Sequence, residues 1–188
     1  KMNSGKENHF IISAKIINEI SKIIAEDGDA EEVEIYLGKK KATFRIDTTE
    51  IVLRLMEGEY IKYRDIMPTQ STTDIVIGRA ILQESIERAS LLAREGKNNL
   101  IKMTIKNNLL TITSRSEEGN VKEEIIMEKE GEDLEIGFNS KFVIDVLKVI
   151  DDDEISMHFL TGTSPCMVKP VSGDEYEYLI LPVRILTM

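Results

Sequence analysis

The sequence predicts an α+β fold assembled from repeated βαβββ modules. Three stretches share one order of elements, in which a short apolar strand leads into an amphipathic helix and the helix leads into several strands. The modules open at Phe10, Ile75 and Leu134, a spacing of about 60 residues. That spacing is too long for a helical or leucine-rich solenoid repeat, and it suits a small mixed module.

The first module opens with an apolar strand predicted over residues 10–12. A helix is predicted over residues 13–25, and residues 27–29 are expected to end it. The apolar side chains of this helix share one face and are Ile16, Ile17, Ile20, Ile23 and Ile24. Alternation of apolar and polar residues then predicts strands over residues 33–37, 42–46 and 51–56.

The second module repeats this order, with an opening strand over residues 75–77 and a helix over residues 78–94. Gly96 is placed to end the helix. The apolar face of the helix is formed by Leu82, Ile86, Ala89 and Ala93. Strands are predicted over residues 100–105, 109–114 and 121–127.

The third module opens with a strand over residues 134–136, and its helix begins at an N-cap, either Asn139 or Ser140. Residues 151–153 are expected to end this helix. The apolar face consists of Phe142, Val143, Val146, Leu147 and Ile150. Strands are predicted over residues 155–159, 165–169 and 177–184.

Each module exposes an apolar helix face and apolar strand edges, so two modules must associate to bury a core. We expect the second and third modules to pair into one domain over residues 71–188. The polar stretch over residues 68–73 is the predicted domain boundary. The first module then needs a partner of its own, and we expect a preceding half-domain to supply it.

Composition limits the function classes. The chain carries 24 Lys and Arg against 34 Asp and Glu, a formal charge of −10, which disfavours nucleic-acid binding unless the cations are grouped on one surface. The single cysteine, Cys166, allows no internal disulfide and fits a cytoplasmic location. No apolar run is long enough to span a bilayer, so we expect no membrane association.

An enzyme is disfavoured by the motifs. The sequence has no phosphate-binding glycine loop and no nucleophile elbow. The two histidines, His9 and His158, are isolated and lack metal-ligand spacing. We therefore expect no catalytic residues, no cofactor and no metal.

Three ungapped segments resemble the β subunit of bacterial DNA polymerase III, the DNA sliding clamp. They are residues 87–99 (ERASLLAREGKNN), residues 136–142 (IGFNSKF) and residues 178–184 (YLILPVR). The resemblance extends over residues 10–185 and implies the DNA-clamp fold, in which each of three domains is a pair of βαβββ modules. Residues 1–70 would be the second half of the middle domain, and residues 71–188 the complete C-terminal domain.

The resemblance also implies the function. The family is a non-enzymatic processivity factor that encircles double-stranded DNA as a head-to-tail homodimer. Its partners are the replicative polymerase, the clamp loader and other proteins that carry a short clamp-binding motif. An acidic protein-interaction module without a DNA role is the alternative that the residues leave open.

Three sets of site residues follow from the resemblance. The peptide-motif pocket would contain Asn139, Phe142, Thr163, Pro165, Leu179, Ile180, Leu181, Pro182, Val183 and Arg184. The DNA-facing cations would be Lys15, Lys22, Arg79, Arg88, Lys141 and Lys148. The ring interface would use Leu91, Leu92, Glu118, Glu123 and Glu124. Without the resemblance, ordinary core residues and solvated helix faces explain the first two sets better.

Two positions depart from the family's pattern. Ile61 stands where the family often has a proline. Asp65 stands where some members have an arginine beside the pocket. The loss of that positive charge predicts a different preference among peptides.

Overall fold

A computed structural model describes residues 9–26, 32–93 and 99–185. The chain divides into two compact units, Lys1–Lys62 and Tyr63–Met188. The division falls ahead of the polar stretch over residues 68–73, and the assignment of the units to clamp domains remains a prediction.

The first unit packs one helix on a small antiparallel sheet. Its elements are α1 (Ala14–Glu26), β1 (Glu34–Leu37), β2 (Lys41–Ile46) and β3 (Thr49–Arg54). The strands lie in the order β1-β2-β3. Alternation along β2 turns Ala42 and Phe44 towards Ile20 of α1, where they are buried together with Leu53. The predicted helix and three predicted strands are confirmed.

The opening strand of the first module was predicted over residues 10–12, and this prediction is wrong as stated. The segment forms only an isolated bridge between Ile11 and Met56. The Met56 N–H donates to the Ile11 carbonyl at 2.9 Å. A strand needs neighbours on its edges, and in the described residues this segment has only that one backbone partner.

The second unit holds the remaining elements. A single 3₁₀ turn (Tyr63–Asp65) precedes the first strand. The helices are α2 (Arg79–Ala93) and α3 (Ser140–Leu147). The strands are β4 (Thr73–Gly78), β5 (Leu100–Lys106), β6 (Leu109–Ser116), β7 (Gly119–Ile126), β8 (Glu128–Gly131), β9 (Leu134–Asn139), β10 (Glu154–Phe159), β11 (Cys166–Pro170) and β12 (Tyr178–Ile180).

The two modules of the second unit exchange their opening strands. One sheet has the order β12-β11-β10-β4-β8, and the other has the order β7-β6-β5-β9. Thus β4 of the second module pairs with β10 of the third, and β9 of the third pairs with β5 of the second. Neither module can close its sheet alone, which confirms the predicted pairing of modules and the α+β fold class.

One continuous core fills the second unit, between the sheets and the two helices. Helix α2 contributes Leu82, Ile86, Ala89 and Ala93, all 1% exposed or less. Helix α3 packs against α2 and also against β9 and β12. The predicted apolar face of α2 is therefore confirmed. The predicted helix ends at residues 27–29 and at Gly96 lie outside the described residues.

Three boundaries differ from the predictions. Strand β8 was not predicted, because its sequence Glu-Lys-Glu-Gly lacks an apolar pattern and the strand exists only through its pairing with β4. Helix α3 ends at Leu147, before the predicted end at residues 151–153. The last strand stops at Ile180 instead of continuing to residue 184, since the following residues leave β11 and run beside β9.

Candidate functional site

The tail after β12, residues 181–185, lies against the edge of β9. The Val183 N–H donates to the carbonyl of Gly137 at 2.8 Å. A Cβ atom added at Gly137 would lie 2.7 Å from the Val183 carbonyl oxygen. Glycine at this position therefore allows the close approach of the tail to the strand.

The apolar side chains of the tail and of the end of β12 differ in how deeply they are buried. Ile180 is 3% exposed and belongs to the core. Pro182 and Val183 are half-buried, as is Leu179 before them. Leu181 is 57% exposed, so this side chain is accessible to a ligand. Arg184, which follows, is exposed and places a positive charge at the end of the tail.

The start of α3 lies at the end of the same strand. Asn139, the last residue of β9, is the N-cap, and its side chain accepts a hydrogen bond from the Lys141 N–H at 3.0 Å. This cap fixes the direction in which the first turn leaves the strand. Phe142 in that turn is 55% exposed. Phe142 was predicted on the apolar face of this helix, but of the helix body only Val143, Ile144 and Leu147 are buried, with the N-terminal Ser140.

The remaining predicted pocket residues lie in and beside the loop between β10 and β11. Thr163 is exposed, and the Thr161 hydroxyl lies 2.7 Å from the Ser164 hydroxyl and accepts from its N–H. A Cβ atom at Gly162 would lie 2.4 Å from the Glu135 carbonyl oxygen. The loop therefore packs near Glu135 of β9, about four residues from the Asn139 end of the strand.

Pro165 directly precedes β11, the strand that pairs with β12. Strands β11 and β12 pair Cys166 with Ile180, which places Pro165 and Leu181 beside each other where the two strands end. The register thus places Pro165 beside the start of the tail, whereas Thr163 sits on the loop that packs near Glu135 of β9.

Ile61 and Asp65 fall on opposite sides of the division between the units. Ile61 is 72% exposed in the first unit. Asp65 is exposed in the 3₁₀ turn that begins the second unit.

Most of the predicted DNA-facing cations have partners within the protein. Arg79 donates to the Asp152 carbonyl at 2.9 Å and to Gln83 at 3.3 Å. Lys22 pairs with Glu19 at 2.8 Å, and Lys148 lies 3.9 Å from Glu87.

Arg88 has the strongest set of partners. It donates to Glu123 at 2.8 and 3.1 Å and to the Ser85 hydroxyl at 3.0 Å. The bonds to Arg88 lower the pKa of the Glu123 carboxyl. Arg88, a predicted DNA contact, and Glu123, a predicted interface residue, therefore form one ion pair that joins α2 to β7. Lys15 and Lys141 have no carboxylate within 4 Å among the described residues.

The predicted ring-interface residues lie on β7, just before it, and near the end of α2. Leu91 is 63% exposed near the end of α2, and Leu92 is half-buried. Glu118 precedes β7, and Glu124 on β7 pairs with Lys122. Sequence reasoning missed Ile126, which is 85% exposed. The sequence did contain a signal for this exposure. Ile126 lies near the end of a predicted strand, and the alternation that buries Ile125 points its neighbour to the other face.

A groove of about 550 Å³ runs over the surface where α2 and α3 meet. Its lining combines Leu91 with Lys141 and Lys148, and two carboxylates, Glu87 and Asp145, lie among them. The groove carries both cations and carboxylates, so its surface has no single sign of charge.

His158 is isolated in the sequence but not in space. Its Nδ1 atom lies 2.6 Å from Asp74, and its Nε2 atom lies 3.0 Å from the Ser156 hydroxyl. The Ser156 hydroxyl also lies 3.1–3.2 Å from the carbonyls of Pro170 and Lys169, and the residue is 8% exposed. The hydrogen bonds among Ser156, His158 and Asp74 therefore connect β4, β10 and β11. The Ser156 hydroxyl lies beside backbone carbonyls that accept its proton, which indicates a structural role.

The described residues contain no group of three or more His, Cys, Asp or Glu side chains that could hold a metal ion. No helix in this part of the chain is long and apolar enough to cross a membrane. Cys166 is fully buried, and burial raises the pKa of its thiol well above the ordinary value, which keeps the thiol protonated and unreactive.

The exchanged modules and the tail beside β9 define a domain of the DNA-clamp class. The family model for the DNA polymerase III beta subunit, C-terminal domain, matches residues 64–184. The chain belongs to this family, and the resemblance seen in the sequence is confirmed.

Similar proteins share both sequence and structure with the chain. The beta sliding clamp of Staphylococcus epidermidis is 38% identical over 181 residues, which are 95% of this chain and 48% of the relative. The DNA polymerase III beta chain of Streptococcus pneumoniae superposes with a TM-score of 0.81 at 30% identity, covering 96% of this chain and 49% of that one. The sliding clamp of Bacillus subtilis gives 0.79 at 33% identity, with 98% and 49% covered. The chain spans about half the length of the curated relatives that it matches.

Proposed function

We propose that this chain is part of a DNA sliding clamp, the processivity factor of a bacterial replicative polymerase. In this proposal, residues 1–70 are the second half of the clamp's middle domain and residues 71–188 are its C-terminal domain. The observation that carries the proposal is the apolar tail beside β9, next to the capped start of α3. It has the position and chemistry needed to hold a short peptide from a polymerase or a clamp loader.

The peptide would bind through apolar anchors. Leu181 and Phe142 are 57% and 55% exposed, while half-buried Val183 and Pro182 supply a fixed floor. Burying a leucine or phenylalanine side chain of the ligand gains about 1.5–3 kcal/mol. Two anchors together offset the ordering of a flexible peptide. Arg184 at the rim offers a charged contact for a carboxylate or carbonyl of the ligand.

Peptide affinity tests this proposal. A fluorescent peptide with a glutamine followed by leucine and phenylalanine anchors should raise its anisotropy as the chain is added. Leu181→Ala should weaken the affinity about tenfold, the effect of about 1.4 kcal/mol of lost apolar contact. Val171→Ala is the matched control, because Val171 is similarly exposed at 51% but follows β11 away from the tail. Equal losses in the two variants, or no loss in Leu181→Ala, would refute the assignment.

The DNA role of the proposed clamp is encirclement by a homodimeric ring, without sequence-specific contacts. The net charge is −10, and Arg79, Arg88, Lys22 and Lys148 are engaged by protein groups, so two of the six predicted DNA-facing cations lack such a partner among the described residues. Lys15 and Lys141 would make the main contacts. Loose contacts of this kind suit a ring that slides along the duplex.

The ring would close through the surface around β7. Its outer edge is open among the described residues, and Ile126 near the end of the strand is 85% exposed. Leu91 on α2, which borders the groove towards α3, is 63% exposed. An open strand edge that carries an exposed apolar side chain favours pairing with a strand of another subunit. The carboxylates of Glu118, Glu123 and Glu124 would make this contact acidic. The whole clamp would be a cytoplasmic accessory subunit without catalytic residues.

The alternative is an acidic protein-interaction module without a DNA role, favoured by the net charge and by the paired cations. The salt dependence of duplex binding by the assembled ring distinguishes the sliding clamp from this alternative. A clamp should retain circular DNA after a salt wash and lose it when the DNA is cut, because a topological link does not depend on counterion release. If circular and linear DNA are both released at the same salt concentration, the acidic interaction module is favoured.

A further inference from the structure

Glu87 of α2 lines the groove where α2 and α3 meet, together with Lys141 and Lys148 of α3 and its C-terminal end. The Oε1 atom of its carboxylate lies 3.9 Å from the Nζ atom of Lys148. The same oxygen accepts a hydrogen bond from the Gln83 side chain at 3.1 Å. One carboxylate on α2 is thus shared between a neighbour on its own helix and a cation at the end of α3.

A chain of hydrogen bonds along α2 fixes the position of the Glu87 carboxylate. Gln83, one turn before Glu87, accepts from Arg79 at 3.3 Å, and Arg79 donates to the Asp152 carbonyl at 2.9 Å. Arg79, Gln83 and Glu87 are spaced four residues apart, so they lie along one face of the helix. A typical surface glutamate turns freely into solvent, whereas the carboxylate of Glu87 is held beside Lys148.

The ion pair of Lys148 with Glu87 is weak enough for a phosphate group to compete with it. The two side chains are 56% and 44% exposed, and water screens an exposed pair at this distance. Arg88 differs, because Glu123 and Ser85 hold its guanidinium group at 2.8–3.1 Å. Lys148 can therefore exchange its carboxylate for a phosphate, whereas Arg88 is held by the protein.

We propose that Glu87 sets the affinity of the groove for DNA by competing with phosphate for Lys148. A phosphate that contacts Lys148 displaces the carboxylate or is repelled by it, so the contact is weaker than one with an unpaired lysine. Lys141 in the same groove has no carboxylate within 4 Å among the described residues and contacts phosphate directly. One restrained cation beside one unpaired cation gives the loose hold that suits a sliding ring. This inference rests on the DNA role proposed above and adds an acidic residue that regulates it.

Duplex binding by the whole 188-residue chain tests this role of Glu87. The anisotropy of a short fluorescent DNA duplex is followed as the chain is added, over a series of salt concentrations that begins at low salt. Glu87→Gln should tighten binding at least about threefold and steepen the slope of log affinity against log salt by about one, because one more cation releases counterions. Adding Lys148→Gln to this variant should remove both gains. Glu128→Gln is the matched control, since it removes the same charge from β8, outside the groove.

Unchanged circular dichroism in each variant shows that the fold is retained. Equal gains in Glu87→Gln and Glu128→Gln would show an effect of net charge alone and overturn the inference, as would a gain that persists without Lys148. Lys141→Gln separates this failure from failure of the DNA role. If Lys141→Gln weakens binding while Glu87→Gln behaves as the control does, only the role of Glu87 is wrong. If neither substitution changes binding, or if no variant binds the duplex at low salt, the role of Glu87 and the DNA-facing assignment of the groove are both wrong.

Discussion

Gly137 determines how closely the tail approaches β9. Gly137→Ala would place a methyl group 2.7 Å from the Val183 carbonyl oxygen and 2.9 Å from Ile185. We expect a loss of about 1–3 kcal/mol in the free energy of unfolding, as for other overpacked sites, together with weaker peptide binding. Urea denaturation measures the first effect. Gly78→Ala is the control, because its new Cβ meets only the Ile81 side chain, at 3.2 Å; equal losses in both variants would contradict the account of the tail.

The ion pair of Arg88 and Glu123 makes stability depend on pH. Hydrogen bonds from Arg88 hold the pKa of Glu123 below its ordinary value of 4.5. The folded state therefore favours the charged carboxylate, so the stabilisation is complete above about pH 4.5 and is lost as the pH falls through the lowered folded pKa. The Arg88 side chain is 51% exposed and the Glu123 side chain 22% exposed, so solvent screens the pair and keeps the effect small.

Thermal unfolding at two pH values tests this pair. Glu123→Gln should lower the Tm at pH 7, and the difference from the wild type should shrink below the folded pKa of Glu123, where the wild-type carboxyl is protonated. Glu124→Gln is the neighbouring control, since Glu124 contacts Lys122 on its own strand. A Tm difference that is constant from pH 7 to the acid limit would contradict the assignment of the pair.

Individual residues were predictable from the sequence where the signal was local. The N-cap at Asn139 follows from residue type beside an apolar helix face, and the structure confirms it. The exposure of Leu91 follows from helical periodicity. The partner of Arg88 was not predictable, because Glu123 lies 35 positions away in the sequence and nothing local distinguishes it from other surface glutamates.

Helix α3 is short, so its cap contributes a large share of its stability. It has eight residues, and helices of this length do not persist without tertiary contacts or capping. Asn139→Ala should therefore cost about 1 kcal/mol in the free energy of unfolding. It should also weaken peptide binding, because the cap orients the turn that carries Phe142. Asn139→Ser should retain most of both properties; if serine costs as much as alanine, the side-chain cap is not the stabilising contact.

The strands show where sequence patterns stop being informative. Strands β5 and β6 bury alternate residues, and β10 is buried over most of its length; all three were predicted within one or two residues. Strand β8 has no such pattern and depends on β4, more than 50 positions earlier. Residues 181–185 looked like a continuation of β12, but the Val183 hydrogen bond takes them to β9. Pairing between distant segments decides these cases, and no local pattern encodes it.

The repeat count predicts the organisation of the whole chain, and the structure confirms the part of it in which the second and third modules pair. Three modules that need partners predict one completed pair and one open module, and the exchanged opening strands of the second unit explain why pairs are needed. The surfaces for DNA and for the ring remain proposals, because they depend on partners that one chain does not contain. The peptide surface lies within the second unit and can be tested on this chain alone.

Amide chemical shifts measured by NMR test the central claim most directly. The peptide with glutamine, leucine and phenylalanine anchors is added in excess to the labelled chain. The account predicts that the largest shifts fall on the first turn of α3 around Phe142 and on residues 179–184, and that Leu181→Ala reduces them. Shifts concentrated on α1 or β7, or an unchanged pattern in a folded Leu181→Ala variant, would contradict the claim that this surface recognises clamp-binding peptides.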